Sequence, residues 1–179
     1  MRLHTGAAGD NKIASISFND DLSCLACATS DGYGIFLTQP LERYCFRSFP
    51  AGGFSIVEMF GQSNILALVG GSPSPPGFSE TSIVLLDDDA GVRLWELQLY
   101  SPIVALCCSQ GFLVAVMESK VAIYRVAPDF STVEYERSFE TVTNPQGMCC
   151  VSSFRTRLPQ VLAIPGPRNG SVRVLTRKN

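Results

Sequence analysis

Histidine is nearly missing from this chain, at one residue in 179, His4. A Cys-His or Ser-His-Asp mechanism therefore has one candidate base, close to the N-terminus, and no catalytic constellation is expected. Phosphate-cradling glycine patterns are missing too: there is no Gly-x-Gly-x-x-Gly and no P-loop, so nucleotide binding has no support. Charged residues make up only 17%, and tryptophan occurs once. Trp95 and Tyr100 lack the interleaved basic residues of a stacking platform, which argues against a nucleic-acid partner. No apolar run reaches the 18 residues of a membrane-spanning helix. The start, Met1-Arg2-Leu3-His4-Thr5-Gly6, has no apolar core of a secretory signal, so the sequence reads as cytoplasmic. No enzyme and no cofactor are predicted.

Hydrophobic residues, at 46%, and a mean hydropathy of +0.18 argue for a packed domain. Seven cysteines, Cys24, Cys27, Cys45, Cys107, Cys108, Cys149 and Cys150, lie mostly inside apolar runs and read as small hydrophobes in a reducing compartment. Cys24-x-x-Cys27 has half the spacing of a zinc site, but positions three apart on a strand point to opposite faces, and no second pair follows. Cys107-Cys108 and Cys149-Cys150 alternate faces likewise, so no metal site is predicted. Asp87-Asp88-Asp89 reads as a solvated turn.

Charge is uneven along the chain. Residues 1–140 hold 8 basic and 16 acidic side chains; residues 141–179 hold Arg155, Arg157, Arg168, Arg173, Arg177 and Lys178 and no acid. Such a basic segment suits either an anionic membrane surface or acidic neighbouring structure.

Apolar segments are short, rich in β-branched and aromatic residues, and bounded by Gly, Pro, Asn, Asp or Ser, which is the pattern of strands. No 12-residue window shows a capped helical period. Strands are predicted at 13–19, 23–29, 34–38 and 44–49; at 55–60, 65–69, 82–87 and 92–98; at 103–109, 112–118, 120–126 and 133–140; and at 147–152, 161–165 and 171–176. Ala14, Ile16 and Phe18 alternate with Ser15 and Ser17 as in a half-buried strand. Ile65–Val69 is apolar on both faces, as an inner strand requires. Turns are predicted at Asp31-Gly32 and Ser109-Gln110-Gly111. Equivalent strands recur about every 40–45 residues, the period of a four-stranded propeller blade. The fold class is therefore all-β, a WD-repeat-like β-propeller of about four blades with the last incomplete. The expected organisation is a tail at 1–12 and a partial propeller at 13–179, with blades at about 13–50, 55–98, 103–140 and 147–176. An open series of blades leaves two apolar faces in water, which favours a continuation of the chain or self-association through those faces.

Several segments carry a family resemblance in the order of the chain. They are Phe18-Asn19-Asp20-Asp21 with Cys24 to Cys27, Gly52-Gly53-Phe54-Ser55 with Asn64 to Gly71, Val114 to Glu118 with Val121 to Tyr124, and Phe139-Glu140-Thr141 leading into Asn144-Pro145-Gln146-Gly147. This succession resembles the N-terminal half of the PROPPINs, the seven-bladed WD-repeat propellers of autophagy. The resemblance implies a peripheral membrane adaptor that binds phosphatidylinositol 3-phosphate and 3,5-bisphosphate. It implies autophagy proteins as partners and residence on autophagic or endosomal membranes when full-length. The family's lipid sites flank an Arg-Arg-Gly motif in later blades; no Arg-Arg pair occurs here, so no lipid-binding residue is expected in this chain. A scaffold of half a propeller without lipid affinity is the alternative. In relatives, the connection between the second and third strands of blade two often ends in basic residues. Here it reads Ser72-Pro73-Ser74-Pro75-Pro76-Gly77-Phe78-Ser79-Glu80-Thr81 and is expected to be a polyproline-like spacer.

Overall fold

The computed structural model describes residues 12–109, 111–152 and 160–177. His4, Gln110, Arg155, Arg157 and Lys178 lie outside the described residues, as does the side chain of Arg177. Fifteen strands and no helix occur among the described residues, and they form four antiparallel sheets in which sequential strands are neighbours. The first sheet holds β1 (Ile13–Phe18), β2 (Cys24–Thr29), β3 (Gly32–Thr38) and β4 (Leu41–Ser48). The second holds β5 (Phe54–Met59), β6 (Ile65–Gly70), β7 (Ser82–Asp87) and β8 (Val92–Gln98). The third holds β9 (Ile103–Ser109), β10 (Phe112–Met117), β11 (Lys120–Val126) and β12 (Val133–Glu140). The fourth holds β13 (Cys150–Val151), β14 (Gln160–Pro165) and β15 (Val172–Arg177).

The sheets pack face to face as successive blades of a partial β-propeller, and the core lies between them. Ala26, Ala28, Tyr33 and Ile35 of the first meet Phe54, Val57, Leu66 and Leu68 of the second. Ile65, Ala67, Val69 and Leu85 of the second meet Leu113, Ala115 and Tyr124 of the third. Val114, Val116, Val121 and Ile123 of the third meet Leu162 and Ile164 of the fourth. Every residue of β6 and β10 is buried, because a second strand is covered on both faces by the neighbouring blades. The doubly apolar run 65–69 has its physical reason there.

β1 departs from the sequence reading in an informative way. It alternates, but the apolar side is the exposed one: Ile16 and Phe18 are each 55% accessible. Ser17 turns toward the second sheet and donates to the Val57 carbonyl at 2.9 Å. The face bearing Ile16 and Phe18 continues through their cross-strand partners Cys27 and Leu25, then Gly34 and Phe36, and has no neighbouring sheet among the described residues. At the other end of the series, Cys150, Ala163, Val172 and Val174 share the equivalent uncovered face of the fourth sheet. Val172 and Val174 are exposed.

The sheets repeat an irregularity that the sequence does not announce. The pairing of third with fourth strand shifts register at Ile35/Phe36, at Leu85/Leu86 and at Ile123/Tyr124, the same place in each complete sheet. Close approach between sheets is set at Gly53, where a Cβ would stand 1.9 Å from the Thr29 carbonyl oxygen. No larger residue fits there without parting the first two blades.

Candidate functional site

Chemistry-bearing side chains gather beside cavities at two places, the outer seam between the first two sheets and the axial cleft where the innermost strands converge.

At the seam, four aromatic rings stack edge to face. Phe54 lies 5.6 Å from Tyr33, 5.0 Å from Phe49 and 4.9 Å from Phe78, centroid to centroid. Such tilted contacts set the positive ring edge against the negative ring face. Phe78 belongs to the proline-rich connection, which is therefore no extended spacer. The connection folds back on the sheet through Gly70 N–H to the Ser79 carbonyl at 3.0 Å and Phe78 N–H to the Pro75 carbonyl at 3.1 Å. Arg93 secures it from β8, donating to the Gly77 carbonyl at 2.8 Å with its guanidinium 4.2 Å from the Phe78 ring centre.

Asp88 joins the two sheets. Its carboxylate accepts from the Tyr33 hydroxyl at 2.6 Å and from Arg47 Nε at 2.9 Å and Nη2 at 3.0 Å. Burial by itself opposes ionisation of Asp88, but the hydrogen bonds from Arg47 and Tyr33 outweigh it and hold the carboxyl below its ordinary range. Burial, the hydrogen bond to Asp88 and the Asp88 charge together push the Tyr33 hydroxyl far above its ordinary value. So the middle of the Asp87-Asp88-Asp89 run is not a solvated turn: the Asp88 side chain is only 10% exposed and ties one blade to the next.

Around this anchor lies a groove of about 630 Å³ whose walls include Phe46, Arg47, Phe49, Phe78, Leu86, Asp89 and Arg93. A second hollow of about 380 Å³, with Leu37, Tyr44, Met59 and Gln62 among its walls, shares Asp88 and Asp89 with it. The seam thus offers one cleft, apolar in its walls and charge-balanced at its rim, with Arg47 and Arg93 set against Asp88 and Asp89. A phosphoinositide headgroup needs uncompensated cations. Arg47 is neutralised by Asp88, and Arg93 is engaged with the loop.

The axial cleft, of about 210 Å³, receives residues from the inner strand of every sheet or its flank: Ser17 and Asp20, Glu58, Cys107 and Cys108, and Val151. Burial raises the Glu58 carboxyl to about 8; a hydrogen bond from Ser17 opposes the shift, and the nearby Asp20 charge adds to it. Ser109 Oγ lies 3.4 Å from Asp20 across the cleft.

The basic residues of the C-terminal segment do not assemble into a site among the described residues. Arg173 lies over the Phe139 ring at 5.2 Å, where it packs the fourth sheet on the third, and Arg168 stands exposed on the turn before β15. No group of three or more His, Cys, Asp or Glu suited to a metal occurs among the described residues. Sequence reasoning passed over Tyr33, Arg47 and Phe78, and placed Asp88 in a solvated turn. The available signal was an aromatic residue directly after Pro-Pro-Gly and a run of acids at the end of β7; neither gives a partner until the sheets are stacked.

No family model matches the chain. It is 31% identical over 163 residues to SVP1-like protein 2 of Schizosaccharomyces pombe, covering 91% of this chain and 43% of that protein. It is 28% identical over 169 residues to Autophagy-related protein 18e of Arabidopsis thaliana, covering 94% of this chain and 44% of that protein. The chain spans less than half the length of these curated relatives. Among solved structures, Kluyveromyces lactis Hsv2 superposes with a TM-score of 0.71 at 19% identity, covering 95% of this chain and 47% of that one. KlAtg21, solved in complex with the coiled coil of AgAtg16, superposes with a TM-score of 0.70 at 12% identity, covering 92% and 51%.

Proposed function

Because the chain belongs to the PROPPIN family of β-propellers, we propose that it supplies the protein-docking half of an autophagy adaptor that performs no chemistry. Its membrane recognition, directed at phosphatidylinositol 3-phosphate or 3,5-bisphosphate, then rests on residues in the part of the relatives' length that this chain does not span. The observation that carries this reading is the charge-balanced aromatic seam around Asp88, shaped for apolar side chains of a partner. KlAtg21, similar in fold, was solved in complex with the coiled coil of AgAtg16, which supports a protein segment as the class of partner.

Two measurements test the two halves of this proposal. Flotation with phosphatidylcholine vesicles containing phosphatidylinositol 3-phosphate should leave the 179-residue chain in the protein fraction; recovery with those vesicles and not with plain ones places a lipid site here and overturns the division. A photo-crosslinking amino acid at Phe46 should capture autophagy proteins in cells, and one at the fully exposed Tyr100 should not. Equal capture at both positions removes the seam as a docking site.

A second reading, the scaffold that pairs with another copy, is favoured by the two uncovered sheet faces with Ile16 and Phe18 at one end and Val172 and Val174 at the other.

A further inference from the structure

The two ends of the arc differ in shape. At the first sheet the open face projects large side chains. Ile16 and Phe18 stand out from it, and Phe36 leans over Gly34, where a Cβ would stand 3.0 Å from its ring. At the fourth sheet the open face is small-sided and hollowed. Cys150, Ala163, Pro165 and Val172 lie on it and, with Met148, form walls of a groove of about 520 Å³. Met148 and Val172 are exposed. Both faces are apolar and lack a neighbouring sheet among the described residues, yet one projects where the other is recessed.

Charge separates the ends in the same sense. The segment of the first sheet, residues 13–50, carries four acids, Asp20, Asp21, Asp31 and Glu42, against two bases, Arg43 and Arg47. Residues 141–179, which supply the fourth sheet, carry six basic side chains and no acid. Setting first on first or fourth on fourth opposes charge of one sign, which costs free energy at an interface; setting first on fourth opposes unlike charge. Ring meets recess in that arrangement and in neither like-on-like one. Curvature supplies the number of copies. The chain superposes on 47% of the Hsv2 chain and 51% of the KlAtg21 chain, so the arc has the bend of about half a propeller. A head-to-tail contact makes a ring when its rotation closes and an open filament when it does not. Two arcs of half a ring close.

We propose that two copies of this chain join head to tail at both ends, the first sheet of each against the fourth sheet of the other, in one closed ring of eight sheets. Resting on the second reading above, in which the chain pairs with another copy, this arrangement fixes which faces meet and stops assembly at two. Eight blades lie within the range of closed propellers. Closure covers both apolar faces of both copies at once, so no open end is left to recruit a third.

Sedimentation velocity and photo-crosslinking of the 179-residue chain test the ring. The sedimenting mass should rise with concentration from 19.4 kDa to twice that value and stop there. Val174→Asp alone should hold the chain at 19.4 kDa. Retention of the doubled mass in that variant, as pairing through two first sheets would give, overturns the proposal. A photo-crosslinking residue at the exposed Ile16, in a mixture of light and heavy-isotope chains, should join to a peptide of β14 or β15 from a chain of the other isotope. That readout keeps the fourth sheet unaltered and so stands even if Val174→Asp folds poorly. A crosslink between two first sheets, or a mass that climbs past two copies, overturns the closed ring and leaves self-pairing in place. A chain that stays at 19.4 kDa at every concentration removes both.

Discussion

Glu58 carries a carboxyl whose proton stays bound to about pH 8 in the folded chain, because the axial cleft withholds water from the charge. In the unfolded chain it is released near its ordinary value of 4.5. The unfolded state thus binds fewer protons between those values, and stability falls as pH rises from about 4.5 to about 8. Glu58→Gln removes that slope and stabilises the chain at pH 8 by an amount on the order of a few kcal/mol. Melting temperatures across this range check it, and a parent chain with no slope there contradicts the assignment. Asp88 acts in the opposite sense and at lower pH: its depressed carboxyl contributes stability that is lost only as pH falls below the ordinary carboxylate range. Its two partners weigh differently. The Arg47 side chain is 47% exposed, so that ion pair contributes at most about 1 kcal/mol. Tyr33 is 1% exposed, and stranding its hydroxyl costs about 1–3 kcal/mol. Asp88→Ala should therefore destabilise by about 2 kcal/mol, mostly through Tyr33, and much less when Tyr33→Phe is already present. Chemical denaturation of the four chains in this cycle decides it; equal costs in both backgrounds assign the effect to Arg47 instead.

Strands were legible in the sequence where burial dictates them, and their ends were not. β6 and β10 stand where continuous apolar runs put them, whereas β4 begins at Leu41, ahead of its predicted start at 44, because Leu41, Glu42, Arg43 and Tyr44 all face solvent and show no alternation. β13 is shorter than predicted for a different reason. Asn144 is fully buried and uses its side chain to hold a turn, accepting from Met148 N–H at 2.8 Å and donating to the Met148 carbonyl at 3.1 Å. Gly147 closes that turn at φ 63°, where a Cβ would stand 2.6 Å from the Ala105 side chain. Residues 144–148 are thereby kept out of the ladder. Asn144→Ala removes both bonds to the Met148 backbone and should cost about 1 kcal/mol, measured by denaturant midpoint; a neutral change means that water replaces the side chain. The candidate site was the least legible part, because Phe78, Arg47 and Asp88 meet only across a boundary between sheets, and the aromatic after Pro-Pro-Gly does not by itself say that it turns inward.

The described residues form an arc of stacked sheets with an uncovered face at each end, and if the chain pairs with another copy those faces are where it does so. Sedimentation velocity should show concentration-dependent association, abolished by Phe18→Asp combined with Val174→Asp; a parent chain that stays monomeric at every concentration counts against pairing. The number and order of blades were readable from the spacing of apolar segments, but the direction of the exposed side of β1 was not, since alternation reports two faces and never which one is covered. The repeated register shift between third and fourth strands has a consequence at this scale. β4, β8 and β12 are the rims of their sheets, and each carries charged residues beside its bulge, such as Glu42 and Arg43, Arg93 and Glu96, and Glu136 and Arg137. A kinked, charged rim offers no flat row of backbone groups to a stranger's strand. Pairing of a further strand along these three outer edges is thereby disfavoured, whereas β15, the outer strand of the fourth sheet, keeps a regular ladder without a bulge.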